Sequence, residues 1–193
     1  QEVKTLVGLT DEQLGLSIIR TIIRPDQNDW VHAVKNLQVA ETYIDGVQLY
    51  AAPWSPPAEW KDNNDVNNGG KLLKAHYEDY ANHLNDYVSF MADQGVTIDV
   101  VSIQNEPDWH PDYESCDWTG EEFRDFLREH GDIIQSKVMI GESLRFDRNY
   151  SDPSLNDELA LEQFEIVGGH LYSAEESGTF VPYPLAEEKG KER

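Results

Sequence analysis

Short apolar runs rich in β-branched residues alternate with amphipathic stretches along the chain. Each run is followed by a polar turn and then by a helix-like segment, which is the pattern of parallel strands joined by helices. Nearly continuous hydrophobicity within the runs favours strands that are covered on both faces. The pattern predicts five strands, over residues 16–20, 47–52, 96–104, 137–141 and 164–172.

The helices between these strands are indicated more clearly. Between residues 71 and 94 apolar side chains recur at spacings of three and four, and Gly95 then supplies a stop signal. The stretch Thr119-Gly120-Glu121-Glu122 predicts a capping box ahead of a second amphipathic helix. We assign the aromatic residues of both helices to the core, and we expect a further helix-like stretch over residues 184–193.

Two long polar loops, residues 53–70 and 107–118, follow the second and third predicted strands. In a (β/α)8 barrel the loops after the strands build the active site, so substrate contacts are expected in these loops. Five strands do not close such a barrel, which usually takes about 250 residues. We therefore expect an α/β fold, a partial (β/α)8 TIM barrel over residues 1–193, with no second domain.

Composition excludes several classes of function. The 37 acidic and 15 basic residues give a formal net charge of -22. This charge repels phosphate backbones, so nucleic acid is not expected as a partner. A solvated acidic surface is enough to explain the charge. No apolar run approaches the roughly 18 residues that a membrane span needs, and any export signal is expected to lie outside this sequence. The single cysteine, Cys116, excludes an internal disulfide, and the six histidines form no zinc motif, so we expect neither metal nor cofactor.

The candidate chemistry lies in Ser102-Ile103-Gln104-Asn105-Glu106-Pro107. An apolar strand ends there in an amide and a carboxylate, at the rim where barrels keep their catalytic groups. The carboxyl group of Glu106 can donate a proton to a leaving oxygen, and the amide of Asn105 can hydrogen-bond a sugar hydroxyl. The alternative is a polar strand end that merely enters a loop.

Large aromatic residues crowd the same predicted face of the barrel. Trp54 follows the second predicted strand, and Trp109, Tyr113 and Trp118 lie in the loop after the third. Flat rings with a polar edge suit the CH-rich face of a pyranose. Each ring alone is explained by packing, but together they favour a carbohydrate cleft.

An ordered set of segments closely resembles the bacterial glucuronoxylanase branch of glycoside hydrolase family 30. The segments are Pro53-Trp54-Ser55-Pro56-Pro57, His83-Leu84-Asn85-Asp86-Tyr87, Ser102 to Asp108, Ser151-Asp152-Pro153, His170-Leu171-Tyr172 and Pro182-Tyr183-Pro184-Leu185. The resemblance implies that the five predicted strands are approximately barrel strands two to six.

The resemblance also implies a retaining double displacement with Glu106 as general acid/base and Asn105 as the residue that steadies the sugar's 2-hydroxyl. Arg20, at the end of the first predicted strand, matches the arginine that positions the nucleophile, although it could instead neutralise a local acidic cluster. Glu142 matches a supporting hydrogen-bonding carboxylate. The other expected substrate-binding residues are Trp54, Trp109, His170 and Tyr172.

In the family the nucleophilic glutamate ends the seventh strand, and this sequence is expected to stop before that strand. The first and eighth strands, the small β-sandwich and the arginine that grips glucuronic acid are also expected to be missing, so residues 1–193 alone are expected to be inactive. The complete enzyme is expected to be a secreted, monomeric endo-β-1,4-xylanase acting on glucuronoxylan. The alternatives are a β-glucosidase or glucosylceramidase-like relative and an inactive carbohydrate-binding fragment.

Overall fold

The computed structural model describes residues 2–43, 45–172 and 182–193. Its strands form a single parallel sheet in chain order, with helices in the connections between neighbouring strands. This confirms the predicted α/β class, and a partial barrel fits the sheet. The strands are β1 (Ile18–Ile23), β2 (Gln48–Pro53), β3 (Val100–Ser102), β4 (Lys137–Ser143) and β5 (Ile166–Gly169).

The helices of the described residues differ in length and in the way they begin. They are α1 (Glu2–Val7), α2 (Val31–Tyr43), α3 (Tyr77–Asp93), α4 (Gly120–His130), α5 (Asp152–Leu155), α6 (Glu158–Leu161) and α7 (Pro184–Glu188). The capping box of α4 is confirmed, because the Thr119 hydroxyl accepts from the Glu122 amide at 3.2 Å and the Glu122 carboxylate accepts from the Thr119 amide at 2.7 Å. Helix α3 begins later than predicted, since Leu72 pairs with Lys61 in an antiparallel bridge. None of the described helices is long and apolar enough to cross a membrane.

Two strand boundaries differ from prediction for identifiable reasons. Strand β3 starts at Val100 rather than residue 96, because the Asp99 carboxylate accepts the Leu49 amide of β2 at 2.8 Å and so takes the place of a backbone acceptor. Strand β1 continues to Ile23, which pairs with Pro53, so the expectation that Arg20 ends the strand is wrong.

The end of the chain departs from the helix predicted over residues 184–193. Helix α7 stops at Glu188, and Gly190 then adopts a left-handed φ of +69° that turns the chain back. Glu192 forms a parallel bridge with Ile166 of β5, supported by a 2.9 Å hydrogen bond from the Val167 amide to the Glu192 carbonyl. The final residues therefore extend the sheet on the far side of β5.

The core lies between the sheet and helices α2, α3 and α4, and aromatic rings fill much of it. Trp118 belongs to this core, because it is only 4% exposed and its ring stacks on Phe123 with centroids 5.0 Å apart. The expectation that Trp118 lines a carbohydrate cleft is therefore wrong. The other large buried aromatic side chains of the described residues are Trp30, Tyr77, Tyr80, Tyr87, Phe126, Phe164 and Tyr183.

Candidate active site

Polar side chains meet at the C-terminal ends of β3, β4 and β5. Asn105 and Glu106 follow β3, Glu142 lies near the end of β4, and His170 follows β5. Because the strands are parallel and adjacent, these ends share one rim, which is where barrels carry their active sites. The structure thus brings together the residues that the sequence analysis placed at three separate strand ends.

The turn that carries Glu106 is tied to both neighbouring strands. The Asn105 amide donates to the Pro53 carbonyl of β2 at 2.9 Å, and the Glu106 amide donates to the Glu142 carbonyl of β4 at 3.0 Å. The side-chain amide of Gln104 also donates to the Trp54 carbonyl at 2.8 Å. These bonds hold the backbone of the candidate acid/base in one position at the rim.

A β-bulge in β4 directs Glu142 into the site. Gly141 pairs with Gly168 and Ser143 pairs with Gly169, which leaves Glu142 as the extra residue on β4. Gly141 has a φ of +92°, and a Cβ there would lie 2.9 Å from the Gly168 carbonyl oxygen, so this position requires glycine. Bulges beside active sites commonly re-aim a side chain in this way.

Glu142 is almost fully buried, with a side chain 1% exposed, and one of its oxygens collects several donors. Its Oε1 accepts from Arg20 Nη2 at 2.6 Å and from the Tyr50 hydroxyl at 3.2 Å. Burial, together with the Glu142 charge, raises the pKa of Tyr50 well above its ordinary value, so the hydroxyl remains a donor. Glu142 Oε2 is buried and has no hydrogen-bond partner within the described residues. The structure therefore supports the supporting, hydrogen-bonding role expected for Glu142.

Arg20 reaches the rim from the interior of β1. Its Nη2 donates to Asn105 Oδ1 at 2.5 Å as well as to Glu142, so one guanidinium group orients both the amide and the buried carboxylate. The contact with Glu142 also agrees with the alternative that Arg20 neutralises nearby acidic groups. Its role toward a nucleophile stays a prediction.

His170 bridges the two carboxylates of the rim. Its Nδ1 lies 2.7 Å from Glu106 Oε1, and its Nε2 lies 3.2 Å from Glu142 Oε1. Desolvation lowers the pKa of His170, but the hydrogen bonds and charges of Glu142 and Glu106 outweigh it and raise the pKa from the ordinary value. Since both ring nitrogens can donate only in the imidazolium form, the geometry favours a charged His170 that donates to both side chains.

Three aromatic residues beside the rim form what we term the aromatic wall, namely Trp54, Trp109 and Tyr113. The Tyr113 ring lies 5.9 Å from the Trp54 ring, and Trp109 Nε1 donates to the Tyr113 hydroxyl at 3.2 Å. Trp109 and Tyr113 are each 45% exposed, which leaves ring surface available to a ligand. Tyr172 is exposed on the other side and packs against His170 with ring centroids 4.9 Å apart.

One residue of the site, Tyr50, was not identified from the sequence. Tyr50 lies inside β2, where it reads as an ordinary strand tyrosine, yet its hydroxyl contacts a carboxylate 92 positions later in the chain. Its place in the strand next to that of Arg20 is the signal that could have identified it, because Tyr50 and Arg20 are register partners. No group of three or more metal-ligating side chains occurs within residues 2–43, 45–172 and 182–193.

Comparison with known proteins agrees with this geometry. The family model described as the glycosyl hydrolase family 30 TIM-barrel domain matches residues 22–178. The chain is 38% identical over 190 residues to the glucuronoxylanase XynC of Bacillus subtilis, an alignment that covers 97% of this chain and 44% of that protein.

Two solved structures show the same fold at similar identity. A glycoside hydrolase family 30 subfamily 8 xylanase from Clostridium acetobutylicum has a TM-score of 0.83 and 37% identity, over 92% of this chain and 47% of that one. A family 30 endoxylanase from Clostridium papyrosolvens has a TM-score of 0.77 and 33% identity, over 98% of this chain and 50% of that one. The chain spans about half the length of the relatives it matches. On the strength of the family model and of these identities, the chain belongs to glycosyl hydrolase family 30.

Proposed function

We propose that residues 1–193 supply the acid/base half of a retaining glycosidase that cleaves β-1,4-xylan, with glucuronoxylan as the preferred substrate. The observation that carries this proposal is the position of Glu106, whose side chain is 12% exposed at the strand-end rim and is hydrogen-bonded to His170. The substrate class is supported by the similarity to proteins named as a glucuronoxylanase and as xylanases. The enzyme is proposed to act outside the cell as a monomer, without cofactor and without nucleic-acid or membrane partners.

In the proposed reaction Glu106 first protonates the glycosidic oxygen of the leaving group. A second carboxylate, which the family resemblance places at the end of a seventh strand, attacks the anomeric carbon and forms a glycosyl-enzyme intermediate. Glu106, now ionised, then removes a proton from the water that hydrolyses this intermediate. A charged His170 at 2.7 Å stabilises the carboxylate form of Glu106 between the two steps.

The neighbouring side chains are proposed to hold the sugar rather than to transfer protons. Asn105 is fixed by Arg20 at 2.5 Å and so presents its amide nitrogen toward the 2-hydroxyl of the bound sugar. Trp109 and Tyr113 of the aromatic wall, together with Tyr172, offer exposed ring faces on which xylose units can stack. Glu142 remains an anchor for Arg20, Tyr50 and His170.

The test uses a complete catalytic domain, made by replacing the aligned segment of the Bacillus subtilis glucuronoxylanase with residues 1–193. We expect this domain to hydrolyse glucuronoxylan with retention of anomeric configuration, and we expect residues 1–193 alone to be inactive, because a retaining mechanism needs two carboxylates about 5–5.5 Å apart. The measurements are product analysis and NMR of the newly released anomer. Circular dichroism of both proteins checks that each is folded.

The two alternative functions predict different results in the same assays. A β-glucosidase or glucosylceramidase-like enzyme would cleave aryl β-glucosides in preference to glucuronoxylan and arabinoxylan. A carbohydrate-binding protein without activity would bind xylo-oligosaccharides with no release of reducing ends, even in the complete catalytic domain. Hydrolysis by residues 1–193 alone would contradict the assignment of the nucleophile to a seventh strand.

A further inference from the structure

A lysine is buried beneath the loops of the candidate site. Lys61 lies in the loop between β2 and α3 and is only 3% exposed. Its ammonium group donates to the Asp65 carbonyl oxygen at 2.7 Å and to the Ser115 carbonyl oxygen at 2.7 Å. Asp65 belongs to the same loop, whereas Ser115 belongs to the loop between β3 and α4. The ammonium group therefore joins two segments that are far apart in the sequence.

Backbone hydrogen bonds continue the junction on either side of the ammonium group. The Ser115 amide donates to the Val66 carbonyl at 3.0 Å, and the Asp117 amide donates to the Gly70 carbonyl at 2.8 Å. The Gly69 amide donates to the Ser115 hydroxyl at 2.8 Å. Residues 66–70 and 115–117 thus form one hydrogen-bonded unit, which we term the loop junction. Lys61 lies at its buried side.

The loop junction leads directly to the aromatic wall. The Ser115 hydroxyl, which accepts from Gly69, donates to the Tyr113 carbonyl at 2.9 Å. Tyr113 in turn packs on Trp54 and accepts a hydrogen bond from Trp109. A continuous series of contacts therefore runs from a buried cation to exposed rings beside the rim.

The contacts of Lys61 are those expected of a residue that fixes backbone geometry. Both acceptors of Lys61 are main-chain carbonyls, so the ammonium group fixes the distance between two backbones. Without the ammonium group these carbonyls would lose strong, charge-assisted hydrogen bonds. Burial lowers the pKa of Lys61, and the negative groups nearby, including Asp65 and Asp117, oppose that shift and favour the charged form.

We propose that Lys61 is a positioning residue for substrate, an internal cation that fixes the loop junction and thereby sets the spacing of the aromatic wall. The part of the proposal that concerns sugar rests on the proposed function. The part that concerns the loop junction does not, because it follows from contacts within the chain. Lys61 does not contact the carboxylates of the rim, so its loss should alter substrate binding more than proton transfer.

The first experiment measures amide hydrogen exchange in residues 1–193 with Lys61→Met. Exchange at Gly69, Ser115 and Asp117 should accelerate by roughly tenfold or more, while amides of β4 keep their rates, because the loss is local. The matched control is Lys74→Met, which removes an exposed lysine of the same connection. Unchanged exchange at the three amides, or equal acceleration throughout β4, would overturn the proposal.

The second experiment restores the missing group chemically. Lys61→Ala leaves room that propylammonium can fill, whereas propanol has a similar size and no charge. Propylammonium should slow exchange at Ser115 and Asp117 toward the wild-type rate, and propanol should not. Equal effects of the two compounds, or no effect of either, would show that the cation is not what holds the loop junction. If Lys61→Met does not fold, this comparison still tests whether the cation holds the loop junction.

The third experiment addresses substrate and uses the complete catalytic domain. Lys61→Met should raise KM for glucuronoxylan about three- to tenfold with kcat nearly unchanged, the size expected for weakening one aromatic contact. Tyr113→Ala should produce the same division between KM and kcat. An altered loop junction with an unaltered KM would overturn the link to substrate. A wild-type domain that does not cleave xylan would refute the proposed function and leave the first two experiments to decide the role of Lys61 in the loop junction.

Discussion

Trp109 and Trp118 lie in the same loop between β3 and α4, yet they belong to different parts of the molecule. Trp109 is 45% exposed and contacts Tyr113 at the rim, whereas Trp118 is 4% exposed and stacks on Phe123 of α4. Trp118 immediately precedes the N-cap of α4 and is carried into the core by that helix. The difference shows that one aromatic-rich loop beside a candidate active site can place one ring in the core and leave another exposed to a ligand.

The largest expected effect concerns the rim. Glu106→Gln in the complete catalytic domain should reduce hydrolysis of glucuronoxylan by about 10²–10⁴-fold, because the proton donor is lost. Aryl glycosides with good leaving groups need less protonation and should lose much less. Steady-state kinetics on both substrates checks the prediction, and wild-type rates on both would refute it. Thermal unfolding should remain close to that of the wild type if the rim contributes mainly to chemistry.

A pair of tryptophan substitutions tests the division directly. Trp118→Ala should cost about 3–5 kcal/mol of unfolding free energy, since it removes a large ring from a packed core. Trp109→Ala should change stability by about 0.5 kcal/mol or less, because an exposed ring loses little on truncation. Urea unfolding of each variant of residues 1–193 supplies the measurement. Equal losses of unfolding free energy in the two variants would contradict the division between a buried and an exposed end of the loop.

The smallest expected effect is a pH dependence at His170. Its folded pKa is raised above the ordinary value of 6.5, so protonation favours the folded state. The stabilising contribution is therefore fully present below about pH 6.5 and is lost as the pH rises through the raised folded pKa. We expect His170→Gln to be less stable than the wild type in mild acid and the difference to shrink at alkaline pH. Unfolding curves at several pH values check this, and a difference that grows with pH would have the wrong sign.

The fold was predictable because its signals are local. The five strands and the capping box at Thr119 follow from hydrophobic runs and from short-range hydrogen-bonding patterns. Strand ends were less predictable, because they depend on tertiary contacts. Asp99 delays β3 by binding the Leu49 amide, and Arg20 falls inside β1 because β2 continues to offer pairing partners up to Pro53.

The site was predictable in part for a related reason. Asn105 and Glu106 carry a signal in their immediate sequence, since an amide and a carboxylate end an apolar strand. Tyr50 and Lys61 have no such signal in their immediate sequence. The role of each depends on a partner more than 50 positions away, which is Glu142 for Tyr50 and Ser115 for Lys61. Such partners become neighbours only after the strands have assembled in order.

The backbone at Glu106 and Glu142 has a consequence for how this protein can evolve. Both residues adopt left-handed conformations, with φ of +43° and +35°, which glycine accepts freely and a residue with a Cβ accepts at a cost of roughly 1–2 kcal/mol. At Glu106, glycine would therefore relieve backbone strain and remove the proposed proton donor in the same step. The exchange would also remove the 2.7 Å hydrogen bond between Glu106 and His170, so the relief of strain is opposed by a lost contact as well as by the proposed catalysis. At the rim, backbone strain is therefore balanced against the contact and the proposed chemistry that a single side chain provides.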